Sequence, residues 1–120
     1  MEPYERFVAW KESYGLVLET YRVTQSFPRH ELYGLTSQAR RAAFSVVANI
    51  AEGSAKHGRR EFRRFLDICI GSFAELSVTF RLARDLGLMS EDAWQGLEDR
   101  RKRGSFLVWK LYRALETRER

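Results

Sequence analysis

Two histidines, one cysteine, two suggestively placed glutamates and a crowd of arginines are the groups from which this 120-residue chain could build chemistry. His30 and His57 have no partner at metal-ligand spacing: His30-Glu31 does not continue into the two-histidine zinc helix pattern. The Glu-x-x-His pairs that hold a di-iron centre inside a helical bundle are missing as well. Gly53, Gly58 and Gly71 do not form a phosphate-cradling loop. Ser45 and Cys69 would need a base beside them to act as nucleophiles, and no histidine falls on their helices. Glu52 and Glu75 could work as an acid/base pair if they met. Hydrogen bonding of both acids to Asn49, to a serine or to an arginine needs fewer assumptions. The expectation is a chain with no catalytic residue, no metal and no cofactor.

The cations are more informative. The formal net charge is +5, and between Arg40 and Arg64 seven basic residues (Arg40, Arg41, Lys56, Arg59, Arg60, Arg63, Arg64) stand against only Glu52 and Glu61. That local surplus equals the surplus of the whole chain. Such clustering points to an anionic partner, nucleic acid being the commonest, with a merely solvated basic face as the bland alternative.

These residues need elements to position them. The length suits a single domain over residues 1–120 with one core. One cysteine excludes an intrachain disulfide and fits a reducing compartment. No apolar run approaches the roughly 20 residues of a membrane span, and the N-terminus lacks a secretory pattern, so a soluble cytoplasmic protein is expected. Phe7, Trp10, Tyr14, Val17, Tyr21 and Thr24 recur at helical spacing over residues 4–25 and read as a core-facing stripe rather than a stacking platform for bases. Phe27-Pro28 ends that helix. A second helix, capped by Thr36 or Ser37, runs to about Glu52 with Gly53 as its stop. It is rich in alanine and carries Ser45, Asn49 and Glu52 in one narrow polar stripe, so it reads as buried on most sides.

A third helix spans Glu61 to Leu86. Its main stripe is Phe62, Phe65, Leu66, Cys69, Phe73, Leu76, Phe80 and Ala83, and Ile68, Leu82 and Leu86 lie on another side, with Glu75. Either a second subunit covers that other side, which is the favoured reading, or one wide arc is buried within the chain. Gly87 closes the third helix, and Ser90 with Glu91 and Asp92 opens a fourth that runs to about Thr117. Trp94, Leu97, Gly104, Val108, Leu111 and Leu115 point inward. Phe106 and Trp109 point elsewhere, beside the run Arg100 to Arg103, as an interface or as platforms for unpaired bases. The charged tail from Glu116 to Arg120 is expected to fray. The sum is an all-α chain, an antiparallel up-and-down four-helix bundle.

Leu32-Tyr33-Gly34-Leu35-Thr36-Ser37-Gln38, Arg40-Arg41-Ala42, Ser45, Ala48-Asn49-Ile50-Ala51-Glu52-Gly53, Glu61-Phe62, Phe65-Leu66 and Gly71-Ser72 with Glu75-Leu76 carry a resemblance. In that order the residues resemble the four-helix-bundle family of proteins encoded in intervening sequences of bacterial large-subunit ribosomal RNA genes. The similarity covers about residues 7 to 115, is densest from 31 to 76, and extends to the accessory variability determinant protein of diversity-generating retroelements. It implies a ring-like homopentamer with a positively charged surface for nucleic acid, without enzymatic activity, and in the retroelement relatives an association with a reverse transcriptase. The usual family pattern has proline where this chain has Val47, which implies a straighter second helix here.

The combined expectation is a non-catalytic oligomer. The seven cations from Arg40 to Arg64 contact RNA or DNA, Ser45, Asn49, Glu52 and Glu75 form a structural polar seam, and Ile68, Leu82, Leu86, Phe106 and Trp109 meet other subunits. The alternative is a scaffold whose basic face docks an acidic protein or a polymerase.

Overall fold

Four long helices follow one another, and no strand occurs among the described residues. The computed structural model describes residues 1–56 and 58–116; His57 and the tail 117–120 lie outside them. After a 3-10 turn at Pro3–Arg6 come α1 (Val8–Thr24), a second 3-10 turn (Arg29–Glu31), α2 (Leu35–Ala55), α3 (Arg59–Asp85) and α4 (Glu91–Ala114). The packing runs α1 to α2, α2 to α3, α3 to α4 and α4 back to α1, a closed circuit without close diagonal approach among the described residues. The body measures 52 × 25 × 20 Å.

Its core draws on every helix. Leu16 of α1, Val46 and Ile50 of α2, Leu66, Phe73, Leu76 and Phe80 of α3, and Leu97 and Val108 of α4 are sealed from solvent. Burying each such side chain contributes about 1.5–3 kcal/mol. The stripe expected on α3 is buried in full, from Phe62 to Ala83. On α4, Leu97, Gly104 and Val108 are buried, while Trp94, Leu111 and Leu115 pack at the margin.

Three expectations need correction. The buried face of α1 is Ala9, Ser13, Leu16, Val17, Thr20, Val23 and Thr24, whereas Tyr14 and Tyr21 are exposed. The hydroxyls of Thr20 and Thr24 donate to the carbonyls of Leu16 and Thr20, each at 2.7 Å. Satisfied within their own helix, they enter the core in place of larger aromatic rings. Second, α2 does not stop at Gly53 but continues to Ala55, and the chain bends at Lys56 and again at Gly58, which takes φ +91°. Gly53 serves instead to admit α3: a Cβ there would lie 2.8 Å from Phe65 Cβ and 2.9 Å from Phe62 Cδ1. Third, α2 begins at Leu35 behind Gly34, and Glu31 Oε1 accepts the Leu35 N–H at 3.0 Å in place of a Thr36 or Ser37 cap. The start of α4 is as expected, with Ser90 Oγ accepting from the Ala93 N–H at 3.0 Å. That helix ends at Ala114, short of Thr117.

Candidate nucleic-acid interface

The seven cations do not form one patch. Arg40 and Arg41 sit near the start of α2, Arg59 and Arg60 open α3 past its far end, and Arg63 and Arg64 lie beside its last turns, where Phe62 and Phe65 pack on Gly53, so about 10 to 15 residues of α2, roughly 15–22 Å, separate the two groups. Local structure then divides them further. Arg40 Nε donates to Thr24 Oγ1 at 2.9 Å, its Nη2 reaches the Tyr21 carbonyl at 3.5 Å, and the guanidinium lies 4.6 Å from the centre of the Tyr21 ring. Arg63 Nε donates to the Tyr112 carbonyl at 3.1 Å, with its guanidinium 3.9 Å from that ring, and Arg59 reaches the Ala114 carbonyl at 3.4 Å. These three arginines satisfy carbonyls or polar groups at the C-terminal ends of α1 and α4, where the helix leaves acceptors unpaired and its dipole favours a cation. Arg64 makes an ion pair with Glu61 at 2.7 Å, and that hydrogen bond holds the Glu61 carboxyl below the usual range. Lys56 hovers 5.9 Å from the Phe65 ring. Arg41 and Arg60 are exposed and make no ion pair or side-chain hydrogen bond among the described residues.

The polar stripe on α2 closes through a serine. Asn49 Nδ2 donates to the Ser45 carbonyl at 2.7 Å and to Ser45 Oγ at 3.1 Å, and Ser72 Oγ on α3 meets Ser45 Oγ at 3.0 Å. Glu52 and Glu75 are exposed and make no side-chain hydrogen bond to this group. Cys69, behind it, is fully buried and donates to the Val46 carbonyl at 3.3 Å. Burial pushes its thiol up to about 12. Among the described residues no three His, Cys, Asp or Glu side chains gather as metal ligands, and no helix is long and apolar enough to cross a membrane.

Ile68, Leu82, Leu86, Phe106 and Trp109 are all exposed, between 43% and 58%. Val78, not anticipated from the sequence, belongs with the α3 members: Ile68, Glu75, Val78, Leu82 and Leu86 follow one another at spacings of 7, 3, 4 and 4 along one face. On α4 each exposed ring lies near a cation one turn on, Phe106 near Lys110 and Trp109 near Arg113. The basic run beside them is largely occupied. Arg101 grips Glu98 through two hydrogen bonds of 2.8 Å with both side chains mostly buried, and Arg103 meets Glu12 of α1 at 2.7 Å. Lys102 lines a shallow groove with Ile70, Ser105, Phe106 and Trp109.

A second groove lies where the loop before α2 meets α1 and α2. Tyr21, Leu32, Tyr33, Ser37, Arg41 and Phe44 line it, together with Arg40. Neither Tyr33 nor Phe44 was singled out by sequence reasoning. A signal was available for Phe44, which is out of phase with the buried positions Ala39, Ala43, Val46 and Ile50 and falls on the stripe of Ser37 and Arg41.

Compared with known families, residues 5–108 match the model of a family described as 23S rRNA-intervening sequence protein. No curated protein matches the chain.

Proposed function

We propose, because the chain belongs to the 23S rRNA-intervening sequence protein family, that it is a non-catalytic RNA-associated protein of the cytoplasm, acting as an up-and-down bundle in which several copies associate. The single observation carrying the RNA reading is that six of the seven cations between Arg40 and Arg64 have no carboxylate partner among the described residues. Arg41, Lys56 and Arg60 are the ones with least structural duty, and they make phosphate contacts that do not read sequence. The exposed stripe of Ile68, Val78, Leu82 and Leu86 with Phe106 and Trp109 supports association of copies, since apolar surface of this kind is the usual material of a subunit interface. Association then repeats weak phosphate contacts and adds them through effective concentration.

Filter binding of structured RNA across a salt series tests this reading, with light scattering for the assembly mass. Charge reversal should be made at Arg41, Lys56 and Arg60, since Arg40, Arg59 and Arg63 also hold helix ends. The expected result is salt-dependent binding whose log–log slope drops by about 0.7–0.9 for every phosphate-neutralising side chain removed. No affinity at low salt, or affinity indifferent to the three reversals, removes it.

A scaffold function is favoured by one feature, the groove of Ile70, Phe106 and Trp109 edged by Lys102. Apolar floor and cationic rim suit an acidic amphipathic segment of a protein such as a reverse transcriptase. Capture of such a protein that survives nuclease treatment distinguishes this from RNA binding.

A further inference from the structure

We infer that the groove between α1, the 29–34 loop and α2 takes unpaired nucleotides of RNA, with bases stacking on Tyr33 and Phe44 and a phosphate held by Arg41. This rests on the RNA-associated function proposed above and gives it a site and a preference for single strands.

Large side chains are exposed here without structural reason. Tyr33 is 92% exposed and Phe44 59% exposed, and neither contributes to the core. The backbone beneath Tyr33 is nonetheless fixed. The Leu32 N–H donates to the Arg29 carbonyl at 3.0 Å, the Gly34 N–H to the Glu31 carbonyl at 2.9 Å, and Glu31 Oε1 takes the first amide of α2. The ring is therefore displayed on an ordered turn, so no backbone need be ordered when a base settles on it. Phe44 stands one turn along α2 from Arg41 and two from Ser37, on one stripe facing the same groove.

Charge selects the occupant. The lining includes the Arg40 and Arg41 guanidiniums and no carboxylate. Arg40 is committed to Thr24 and Tyr21, which leaves Arg41 as the phosphate ligand. Aromatic faces alternating with a cation suit a strand whose bases are splayed and whose backbone is anionic, because every base offers a π-face to stack. A paired helix keeps its bases inside and offers these rings nothing to stack on.

The test is a fluorescence-anisotropy titration of a labelled unpaired RNA and a fully paired RNA of equal length, using the full chain and the variants Tyr33→Ala, Tyr33→Phe, Phe44→Ala and Arg41→Ala. Mass is checked by light scattering. Tyr33→Ala and Phe44→Ala should each weaken the unpaired RNA by roughly 5- to 100-fold and leave the paired RNA unchanged. Tyr33→Phe should retain wild-type affinity, and Arg41→Ala should weaken both RNAs and flatten their salt dependence. Unpaired RNA bound as well by Tyr33→Ala and Phe44→Ala as by the parent overturns the site while leaving RNA association standing. A changed assembly mass without a change in RNA affinity makes the groove a protein contact and overturns it too. Failure of the parent to bind either RNA at low salt overturns the site and the function beneath it together.

Discussion

Replacing glycine by alanine should have opposite signs at two helical positions, Gly53 and Gly71. In the middle of a helix the change is worth about 1 kcal/mol in alanine's favour, since glycine has more backbone freedom to lose. Gly71 on α3 has nothing within 4 Å of where a methyl would go, so Gly71→Ala should stabilise by close to that amount. At Gly53 the methyl would lie 2.8 Å from Phe65 Cβ and 2.9 Å from Phe62 Cδ1. The Phe62 ring can swing aside, but Phe65 Cβ is fixed to the α3 backbone. Reaching ordinary carbon–carbon contact of about 3.5–4.0 Å requires the two helices to part by roughly 1 Å. Overpacking of this kind costs about 1–3 kcal/mol, which offsets the propensity gain and leaves Gly53→Ala up to about 2 kcal/mol less stable than the parent. Urea unfolding at one fixed protein concentration, followed by circular dichroism, reads both variants against the parent. The two should differ by about 2 kcal/mol. A Gly53→Ala protein as stable as Gly71→Ala would refute close helix approach as the reason for glycine at position 53.

Ser13 is sealed from solvent and its hydroxyl has no hydrogen-bond partner among the described residues, so Ser13→Ala should hold or raise stability by about 1 kcal/mol in the same urea assay. Glu98→Ala strands Arg101 in a mostly buried position and should cost about 3 kcal/mol. The double variant Glu98→Ala/Arg101→Leu should recover part of that stability, as a double-mutant cycle would report. Cys69 should resist a water-soluble thiol reagent in the folded protein and react promptly in urea, timed by absorbance. Its folded value is raised, from 9.0 to about 12, so between those pH values the folded thiol keeps its proton while the unfolded one loses it. Stability is therefore intact below about pH 9 and falls by up to about 1.4 kcal/mol per pH unit as pH rises through the window, a dependence that Cys69→Ala should abolish.

Proximity in sequence misrepresented the candidate site. Arg40 and Arg64 fall within 25 residues of each other, yet a rigid helix holds them about 12 residues of helix apart, roughly 18 Å along its axis. Nor does a string of charges reveal which are engaged. Arg63 meets Tyr112 and Arg103 meets Glu12 across 49 and 91 residues of chain, separations that no local pattern encodes. Tyr33 carries no signal of its own, because a tyrosine in a loop is indistinguishable, from sequence, from one that folds back onto the core.

What the sequence determined by itself was periodic and local. The α3 stripe from Phe62 to Ala83, the Ser90 cap and the turn at Gly87 each depend on residues within a few positions of one another, where helical geometry leaves little choice. Tertiary structure alone decided which face of α1 is buried, because Thr20 and Thr24 satisfy their hydroxyls inside the helix while Gly104 of α4 sits 3.2 Å from Ser13 Oγ, measured from the position a Cβ would take. It alone decided that Gly53 is a point of contact rather than a stop, since that depends on Phe62 and Phe65 arriving from the next helix. The same holds for the cations: whether an arginine neutralises a helix end or stands free for a phosphate is set by what lies opposite it in space.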